Sequence, residues 1–279
     1  MIPESTDKLE KFFRAFAGAA PPLLLLDYDG TLADFRIDRF EARPWAGVRK
    51  LLAQIQQQGL TRMAVITGRP PEEIAPLLGL EPRLEVWGLH GAARLSPDGH
   101  YDLDKTSPTA EQKLEELRTQ LRRDALGGLF EDKPNAAVIH WRGHTPGKAR
   151  RIEQRTRELF EPLARMDGLM LLEFESGLEL RAGRDKGGAV QAILQEVGPC
   201  APATYLGDDF TDEAGFKAIN EAPGGAHLSV LVRRKRRETC ADIWLQPPDD
   251  LRTFLRRWLE AASTTGRASI EQGTFELRR

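Results

Sequence analysis

The chain has 279 residues, of which 41% are apolar and 29% charged, close to the averages for soluble globular domains. This length fits one large domain or two ordinary ones. The formal charge of −2 provides no general attraction for nucleic acid or acidic membranes, so neither is expected as a partner. No apolar run approaches the ~18 residues of a transmembrane helix. Cys200 and Cys240 have no metal-site or disulfide-framework spacing, which predicts a reducing cytoplasm.

Short apolar runs alternate with helical patterns in the first part of the chain. The N-terminal segment has no signal-peptide block and predicts an amphipathic surface helix, with Leu9, Phe12, Phe13 and Phe16 at helical spacing. The next predicted elements are a buried strand (23–26), a helix from Pro44 to Gly59, a strand (63–66), a helix from the Pro70–Pro71 pair, and a strand (84–87). This rhythm predicts an α/β protein with a Rossmann-like parallel sheet and right-handed crossovers.

The rhythm changes after Gly99 and later returns. Two long helices (about 108–126 and 146–165) and three strands (ending at 141, 174 and 182) predict an α+β insertion at 105–182. The core is then predicted to comprise 1–104 and 183–279. Its second part has helices at 186–198, 211–220 and 248–261, and strands at 203–207, 228–232 and 242–245. The polar tail, 263–279, is weakly periodic and predicted to fray.

Chemically reactive residues follow the predicted strands. Asp27 and Asp29 come after the first strand, Thr67 after the second, and Asp208 and Asp209 after "ATYL"; Lys186 begins the helix before that last strand. Ligands of open parallel sheets bind beyond the carboxyl ends of the strands. We therefore expect these six side chains to converge on one rim of the sheet.

Charge repulsion restricts what such a rim can do. Two like charges about 4 Å apart repel by ~1 kcal/mol in water and by ~4 kcal/mol at an effective dielectric of 20, so four carboxylates need a cation. Oxygen ligands without nearby His or Cys favour Mg²⁺, and a hydroxyl, a lysine and turn N–H groups favour a phosphate. A carboxylate beside a bound Mg²⁺ and a phosphate is a nucleophile for phosphoryl transfer. A second carboxylate can act as general acid and then as general base.

Each of these features has an ordinary structural explanation when taken alone. The "DYDG" segment could be a turn, Lys186 a surface lysine, and Thr211 or Asp212 the N-cap of a helix. The basic run "RRKRRE" (233–238) lacks interleaved aromatic residues, and we predict a solvated loop there. The four features together, in this order, favour the phosphoryl-transfer site.

The same four features resemble the motifs of the haloacid-dehalogenase-type phosphohydrolases: D-x-D-G-T (27–31), T-G-R (67–69), Lys186 before Gly, and G-D-D-x-T-D-E (207–213). The resemblance covers about 21–99 and 183–261. Aspartate at the second acidic position of the first motif is typical of phosphatases and mutases. Because 67 − 29 = 38 residues separate the first two motifs and 186 − 67 = 119 the next two, the insertion would be the cap domain.

Within this superfamily the chain is similar to the trehalose-6-phosphate phosphatase family. The matching segments are "VITGRP", "GLHGA" (88–92), "EDKPNAAVIHWR" (131–142), "GLELRAGRDKGGAV" (177–190) and "YLGDDFTDE" (205–213). The resemblance implies hydrolysis of trehalose 6-phosphate in trehalose biosynthesis, Mg²⁺ as cofactor, a small sugar phosphate as partner, and joint work with a trehalose-6-phosphate synthase.

The resemblance also implies roles for individual residues. Asp27 would be the nucleophile and Asp29 the general acid and base. Mg²⁺ would be held by Asp27, the Asp29 carbonyl and Asp208, with Asp209 and Asp212 in support. The phosphoryl group would be bound by Thr67, Gly68 and Lys186. The expected sugar-binding residues are Arg69, His90, Glu131, Lys133, His140, Arg142 and Glu179.

Two other functions stay open at this point. One is a phosphatase of another sugar phosphate, such as a glucosylglycerol, sucrose or mannosylglycerate ester, which only cap residues would distinguish. The other is a non-catalytic sugar-phosphate sensor. The intact Asp27 and Asp29 pair argues against a sensor, because a sensor needs no general acid.

Overall fold

The computed structural model describes residues 3–18, 20–105, 107–124, 126–133, 135–166, 168–174, 176–198 and 201–276. Its contacts divide the chain into two compact units. The first comprises Met1–Asp102, Lys186–Asp208 and Asp212–Arg279, and the second comprises Leu103–Asp185 and Asp209–Thr211. The long inserted segment of the second unit thus begins after Asp102 and ends at Asp185, whereas the sequence predicts an insertion at 105–182, and the short segment Asp209–Thr211 joins the second unit without having been predicted to do so.

The regular elements are numbered in chain order. The strands are β1 (Leu23–Leu26), β2 (Arg62–Ile66), β3 (Glu85–Gly88), β4 (Ala93–Leu95), β5 (Tyr101–Leu103), β6 (Phe130–Lys133), β7 (Ala136–His140), β8 (Leu169–Phe174), β9 (Gly177–Ala182), β10 (Ala203–Gly207), β11 (His227–Val232) and β12 (Ile243–Leu245). The helices are α1 (Pro3–Arg14), α2 (Val48–Gln58), α3 (Pro71–Leu78), α4 (Pro108–Arg123), α5 (Pro146–Ala164), α6 (Lys186–Val197), α7 (Glu213–Asn220) and α8 (Asp249–Glu276).

The first unit is built on an eight-stranded sheet in the order β12-β11-β10-β1-β2-β3-β4-β5. Pairing is parallel from β12 to β3, and β4 joins β3 in antiparallel orientation. The predicted parallel α/β sheet is confirmed. The sequence analysis did not predict β4 and β5, because each has only three residues and neither is a continuous apolar run.

Strand β1 lies in the middle of this sheet and is covered on both faces. Leu24 and Leu26 pack in the core that contains α1, α2, α3 and α8 residues, whereas Leu23 and Leu25 pack with residues of α6 and α7. All four leucines are fully buried. A strand covered on both sides reads as an uninterrupted apolar run, which is why "LLLL" predicts it correctly.

Helix ends in the first unit follow local backbone rules. α2 ends at Gly59, whose left-handed φ of 66° closes the helix, as predicted. Its start differs from the prediction: Gly47, with φ of 85°, is the N-cap, so the helix begins at Val48 rather than at Pro44. α3 begins with Pro71 at its first position, where the missing N–H of proline has no cost.

The N-terminal and C-terminal helices pack together through aromatic rings. Phe12, Phe13 and Phe16 surround Trp258 at centroid distances of 4.8–6.3 Å, which confirms the predicted apolar face of α1. The last helix continues to Glu276, so the prediction that it ends near 261 is wrong. Cys200 lies outside the described residues, and Cys240 is a free, exposed cysteine. Among the described helices, none has the length and apolarity to cross a membrane.

The second unit contains a four-stranded antiparallel sheet in the order β6-β7-β9-β8. The helices α4 and α5 cover one face, and their buried side chains pack on Ala137, Ile139, Leu178 and Leu180. The hydroxyl of Ser107 caps α4 by accepting a hydrogen bond from the Ala110 amide at 3.1 Å. Because side chains alternate along a strand, the residues between these apolar ones lie on the opposite face.

Candidate active site

Three buried carboxylates meet beyond the ends of two adjacent strands of the first unit. Asp27 follows β1, Asp208 follows β10, and Asp212 directly precedes α7; one carboxylate oxygen of each lies within 4.8 Å of the others. The strands β1 and β10 are paired up to Leu26 and Leu206, and the Asp27 amide donates to the Leu206 carbonyl at 2.8 Å. The parallel ladder thereby brings the first and last motifs to the same place.

Lys186, the first residue of α6, links two of these carboxylates. Its Nζ donates to Asp27 Oδ1 at 2.8 Å and to Asp212 Oδ1 at 2.7 Å. The Thr31 hydroxyl donates to Asp27 Oδ2 at 3.1 Å, and the Tyr205 hydroxyl donates to Asp212. A buried lysine between two carboxylates compensates charges that would otherwise be too costly to bury.

Two glycines make room for the carboxylates. Gly30 has φ of +81°, and a Cβ at this position would lie 2.1 Å from Asp208 Oδ2. A Cβ on Gly207 would lie 2.4 Å from Asp212 Cγ. Any other residue would displace these side chains, so the glycines of "DYDGT" and "GDD" are required by close approach.

Burial dominates the protonation behaviour of this cluster. It raises the pKa of Asp27 to about 7, because the loss of water and the charges of Asp212 and Asp29 outweigh the attraction of Lys186. For Lys186, burial opposes the charged form, but the neighbouring Asp212 and Asp27 carboxylates raise its pKa overall. The lysine therefore remains charged, and Asp27 is the member of the pair that takes up a proton near neutrality.

Asp29 is held apart from this cluster by Arg69. The guanidinium donates to both carboxylate oxygens, from Nε at 2.6 Å and from Nη2 at 2.5 Å. Arg69 is 8% exposed, lies over the Tyr28 ring at 5.5 Å, and donates from Nη1 to the Arg39 carbonyl at 2.7 Å. The expected general acid, Asp29, and one expected sugar-binding residue, Arg69, thus bind each other in this structure.

The second motif forms a tight loop after β2. The Thr67 hydroxyl, on a buried residue, accepts a hydrogen bond from the Arg69 amide at 3.2 Å, and the His90 amide donates to the Thr67 carbonyl at 2.7 Å. A Cβ on Gly68 would lie 2.6 Å from His90 Nε2. His90 therefore packs directly on the loop predicted to bind phosphate, which explains the glycine at 68.

The donor set of the cluster suits a hard divalent cation. Its three carboxylates provide oxygen ligands, which Mg²⁺ prefers. The described acidic group consists of Asp27, Asp208 and Asp212; Asp212 is a full member of it, whereas Asp209 is not. The family resemblance implies the same supporting role for Asp209 and Asp212. The structure distinguishes them because α7 begins at Glu213 and leaves Asp212 beside the end of β10.

The predicted sugar-binding residues of the second unit lie largely on one sheet face. Glu131 is paired with Val138 across β6 and β7, and Val138 with Glu179 across β7 and β9. Residues opposite each other in antiparallel strands share a face. Lys133 is paired with Ala136, and Ala136 with Arg181. These residues therefore lie on the same face, which is the sheet face not covered by α4 and α5. Arg142 lies in the turn after β7 and is exposed.

Ion pairs connect this polar face. Lys133 Nζ lies 3.0 Å from Glu179 Oε2, and Arg181 Nη1 lies 3.5 Å from Glu179 Oε1. The Glu179 side chain is only 3% exposed. His140 Nε2 lies 2.8 Å from Glu131 Oε2, and both side chains are partly exposed. Glu131 and His140 are thus open to solvent, whereas Glu179 holds Lys133 in place.

The sequence analysis missed three residues of these sites. Thr31 belongs to "DYDGT", and its position four residues after Asp27 was the available signal. Tyr205 lies within the strand "ATYLG", where a tyrosine is easily taken for a core residue. Arg181 is fully buried, and burial lowers its pKa despite the nearby Glu179 and Asp185 carboxylates. The available signal for Arg181 was its charge: along β9, where side chains alternate between the two sheet faces, it shares a face with Glu179.

Comparisons with known proteins agree with this architecture. The chain resembles the solved C-terminal domain of the Candida albicans trehalose-6-phosphate phosphatase, with a TM-score of 0.71, 18% identity, and coverage of 91% of this chain and 96% of that one. It also resembles a haloacid dehalogenase-like hydrolase from B. subtilis, with a TM-score of 0.60, 17% identity, and coverage of 84% and 98%. The fold is therefore that of the haloacid-dehalogenase-like hydrolases, as the four motifs predict.

Sequence comparison identifies the family within this class of hydrolases. The family model for trehalose-phosphatase matches residues 25–246. A trehalose-phosphate phosphatase from Mycobacterium marinum is 30% identical over 278 residues, covering 94% of this chain and 68% of that protein. The chain belongs to the trehalose-phosphatase family, whose members are phosphoric monoester hydrolases.

The pKa of Asp27 predicts a specific pH dependence of stability in a chelating buffer. Because the pKa rises from 3.8 to about 7 on folding, the folded state binds the proton more tightly, and this stabilisation is lost as the pH rises towards 7. Asp27→Asn lacks this titration. Its free energy of unfolding relative to wild type should therefore increase by about 2–3 kcal/mol between pH 5 and pH 7.5, as measured by urea denaturation.

The exposed Asp98 offers a matched control, since Asp98→Asn removes a carboxyl far from the cluster in sequence and should show no comparable change. A constant difference between Asp27→Asn and wild type over this pH range would contradict the raised pKa.

Proposed function

We propose that this protein is a Mg²⁺-dependent phosphatase that hydrolyses trehalose 6-phosphate through an aspartyl-phosphate at Asp27. The observation that carries the proposal is the buried cluster of Asp27, Asp208 and Asp212 at the ends of β1 and β10, in which Lys186 binds Asp27 and Asp212. Membership in the trehalose-phosphatase family and the name of the Mycobacterium marinum relative support the substrate.

Asp27 is the nucleophile of this mechanism. One of its oxygens accepts from Lys186 and the other from Thr31, which fixes the direction of the carboxylate at the end of the rigid strand β1. In the first step an Asp27 oxygen bonds to phosphorus, and the bond from phosphorus to the sugar oxygen breaks. In the second step water attacks phosphorus and releases phosphate, which restores the carboxylate.

The cation would be held by Asp27 and Asp208, with Asp212 beside them and the Asp29 carbonyl as a further expected ligand. When bound, Mg²⁺ neutralises charge on the phosphoryl group and on the carboxylates around it. Lys186 provides a fixed positive charge at the same cluster. Thr67 and the backbone at Gly68 would bind the phosphoryl oxygens, so that catalysis relies on positioning and charge stabilisation.

Asp29 transfers the protons in this proposal. It protonates the leaving sugar oxygen and then accepts a proton from the attacking water. Its two oxygens both accept from Arg69, which orients the carboxylate, and each oxygen keeps a second lone pair that can carry the proton. Arg69 therefore acts on the general acid in our proposal, rather than on the sugar as the sequence analysis expects.

The second unit would recognise the sugar. Its polar face carries Glu131, Lys133 and His140, with Glu179 and Arg181 beneath, and Arg142 follows in the next turn. Charged side chains of this kind suit the many hydroxyl groups of a disaccharide. We retain as proposals the cap role of this unit, the cytoplasmic location and the joint work with a trehalose-6-phosphate synthase.

The first test is phosphate release from trehalose 6-phosphate, glucose 6-phosphate and sucrose 6-phosphate, with Mg²⁺ and with excess chelator. We expect turnover of trehalose 6-phosphate that chelation abolishes and Mg²⁺ restores, because the carboxylate cluster needs a cation to hold a dianionic phosphate nearby. Undiminished turnover after exhaustive chelation would contradict the metal assignment. Equal kcat/KM for all three esters would replace the disaccharide assignment with a general sugar phosphatase.

The second test concerns the general acid. Asp29→Asn should slow hydrolysis of trehalose 6-phosphate by roughly 10²–10⁴-fold, the usual range for loss of a general acid. An aryl phosphate such as 4-nitrophenyl phosphate leaves without protonation and should be affected much less. The measurement is kcat for both substrates in wild type and variant. An equal loss on both would show that Asp29 acts on the nucleophile or on the fold instead.

The third test concerns sugar recognition. Glu131→Ala and Lys133→Met should each lower kcat/KM for trehalose 6-phosphate by about 10- to 100-fold, the effect of losing a hydrogen bond to a charged group, and leave 4-nitrophenyl phosphate nearly unchanged. Lys113→Met is the matched control, because Lys113 lies on α4 of the same unit and forms an ion pair with Glu116 of the same helix. Equal losses on both substrates would contradict a role in sugar binding.

A further inference from the structure

Two sequence features have no role in the mechanism above: the last residue of "GDDFTDE", Glu213, and the basic run 233–237. The structure brings them together. Arg237 Nη1 donates to Glu213 Oε1, although 24 residues separate them. The Arg237 side chain is only 11% exposed, so the predicted solvated loop is wrong for this residue.

Both ends of the basic run point to a single backbone carbonyl. Arg237 Nε donates to the Asp208 carbonyl at 3.3 Å, and Arg233 Nη1 donates to the same oxygen at 3.4 Å. By contrast, Arg234 pairs with Asp34 at 2.8 Å and lies over the Trp45 ring, whereas Lys235 and Arg236 are exposed. The run is thus divided into inward and outward members and does not form one continuous cationic surface.

The two inward arginines, Arg233 and Arg237, are held in place by further hydrogen bonds. Glu213 accepts from Arg237 through one oxygen and from the Cys240 amide through the other, at 2.9 Å. Arg237 Nη1 also donates to the Glu238 carbonyl at 2.7 Å. The backbone of Arg233 donates to the Leu245 carbonyl at 3.1 Å and accepts from Trp244 Nε1 at 2.7 Å. These supports come from α7, β12 and the segment between β11 and β12.

Asp208 is consequently fixed on every side. Its amide donates to Asp212 Oδ2 at 2.9 Å, its carboxylate lies where a Gly30 side chain would be, and its carbonyl accepts from the two arginines. A metal ligand fixed by its neighbours loses less freedom when the cation binds, and such supporting contacts are worth 10- to 100-fold in affinity.

We propose that Arg237, held by Glu213 and assisted by Arg233, is a positioning residue that fixes Asp208 as a ligand of the divalent cation. The inference rests on the Mg²⁺ site of the proposed function. Arg237 does not contact the reacting atoms in this proposal and acts only through the Asp208 backbone.

Charge and positioning predict opposite effects here, which makes the proposal testable. A guanidinium near a cation site repels the cation. If the charge of Arg237 were its only influence, Arg237→Gln would bind Mg²⁺ more tightly than wild type. If Arg237 positions Asp208, the same variant binds Mg²⁺ more weakly, because the Asp208 carbonyl loses one of its two arginine donors.

The experiment is titration of the full chain with Mg²⁺ alone by calorimetry, after removal of metal and without substrate. We expect Arg237→Gln to weaken Mg²⁺ binding by about 10- to 100-fold and Arg237→Lys, which keeps the charge and one donor, to weaken it less. Arg236→Gln removes an equal charge from an exposed neighbour in the same run and should bind Mg²⁺ as wild type does. Circular dichroism and the unfolding temperature check that each variant is folded.

Glu213→Gln provides a second variant if Arg237→Gln fails to fold, since glutamine can still accept from the Cys240 amide while losing its ion pair with Arg237. It should also weaken Mg²⁺ binding. Unchanged or tighter binding in folded Arg237→Gln or Glu213→Gln would overturn the positioning role and leave the proposed function intact. Absence of Mg²⁺ binding by the wild-type chain would overturn the metal assignment and this inference with it.

Discussion

The buried ammonium of Lys186 is the interaction on which the centre of the first unit depends. It contacts one oxygen of Asp27 and one of Asp212, and all three side chains are almost entirely buried. Removing one partner of a buried ion pair leaves an uncompensated charge, which typically costs about 3–5 kcal/mol. The start of α6 must therefore lie against the ends of β1 and β10, and this requirement ties together segments more than 150 residues apart in the sequence.

Several local features follow from that constraint. Carboxylates brought this close leave no space for side chains on the neighbouring loops, so Gly30 and Gly207 contact Asp208 and Asp212 directly. The polar atoms around the carboxylates are also specified: Thr31 and Lys186 donate to Asp27, and Tyr205 donates to Asp212. Each carboxylate thereby has partners that keep it oriented in a site from which water is largely removed.

The sequence was sufficient for the elements whose signals are local. "LLLL" predicts a strand covered on both faces, Gly59 predicts the end of α2, and the positions of Asp27 and Asp208 after predicted strands indicate that their carboxylates meet. It could not distinguish Asp212 from Asp209, because that depends on where α7 begins. It likewise could not show that Arg69 binds Asp29 or that Arg237 reaches Asp208, since these contacts join residues 40 and 29 positions apart, respectively. Side-chain packing, which no periodic pattern encodes, decides them.

The buried charges of the carboxylate cluster affect both the stability of the first unit and the proposed chemistry. Burial raises the pKa of Asp27 to about 7, so this proposed nucleophile is least stable in the ionised form that the proposed reaction requires. A cation beside Asp27 favours that form, and Lys186 alone compensates only part of the negative charge of three carboxylates. The three carboxylates therefore repel one another at the point where phosphate would bind in the proposed function. The rigid strand β1, the two close glycines and the arginines on the Asp208 carbonyl hold the carboxylates in place against that repulsion, and the stability of the surrounding α/β core makes this possible.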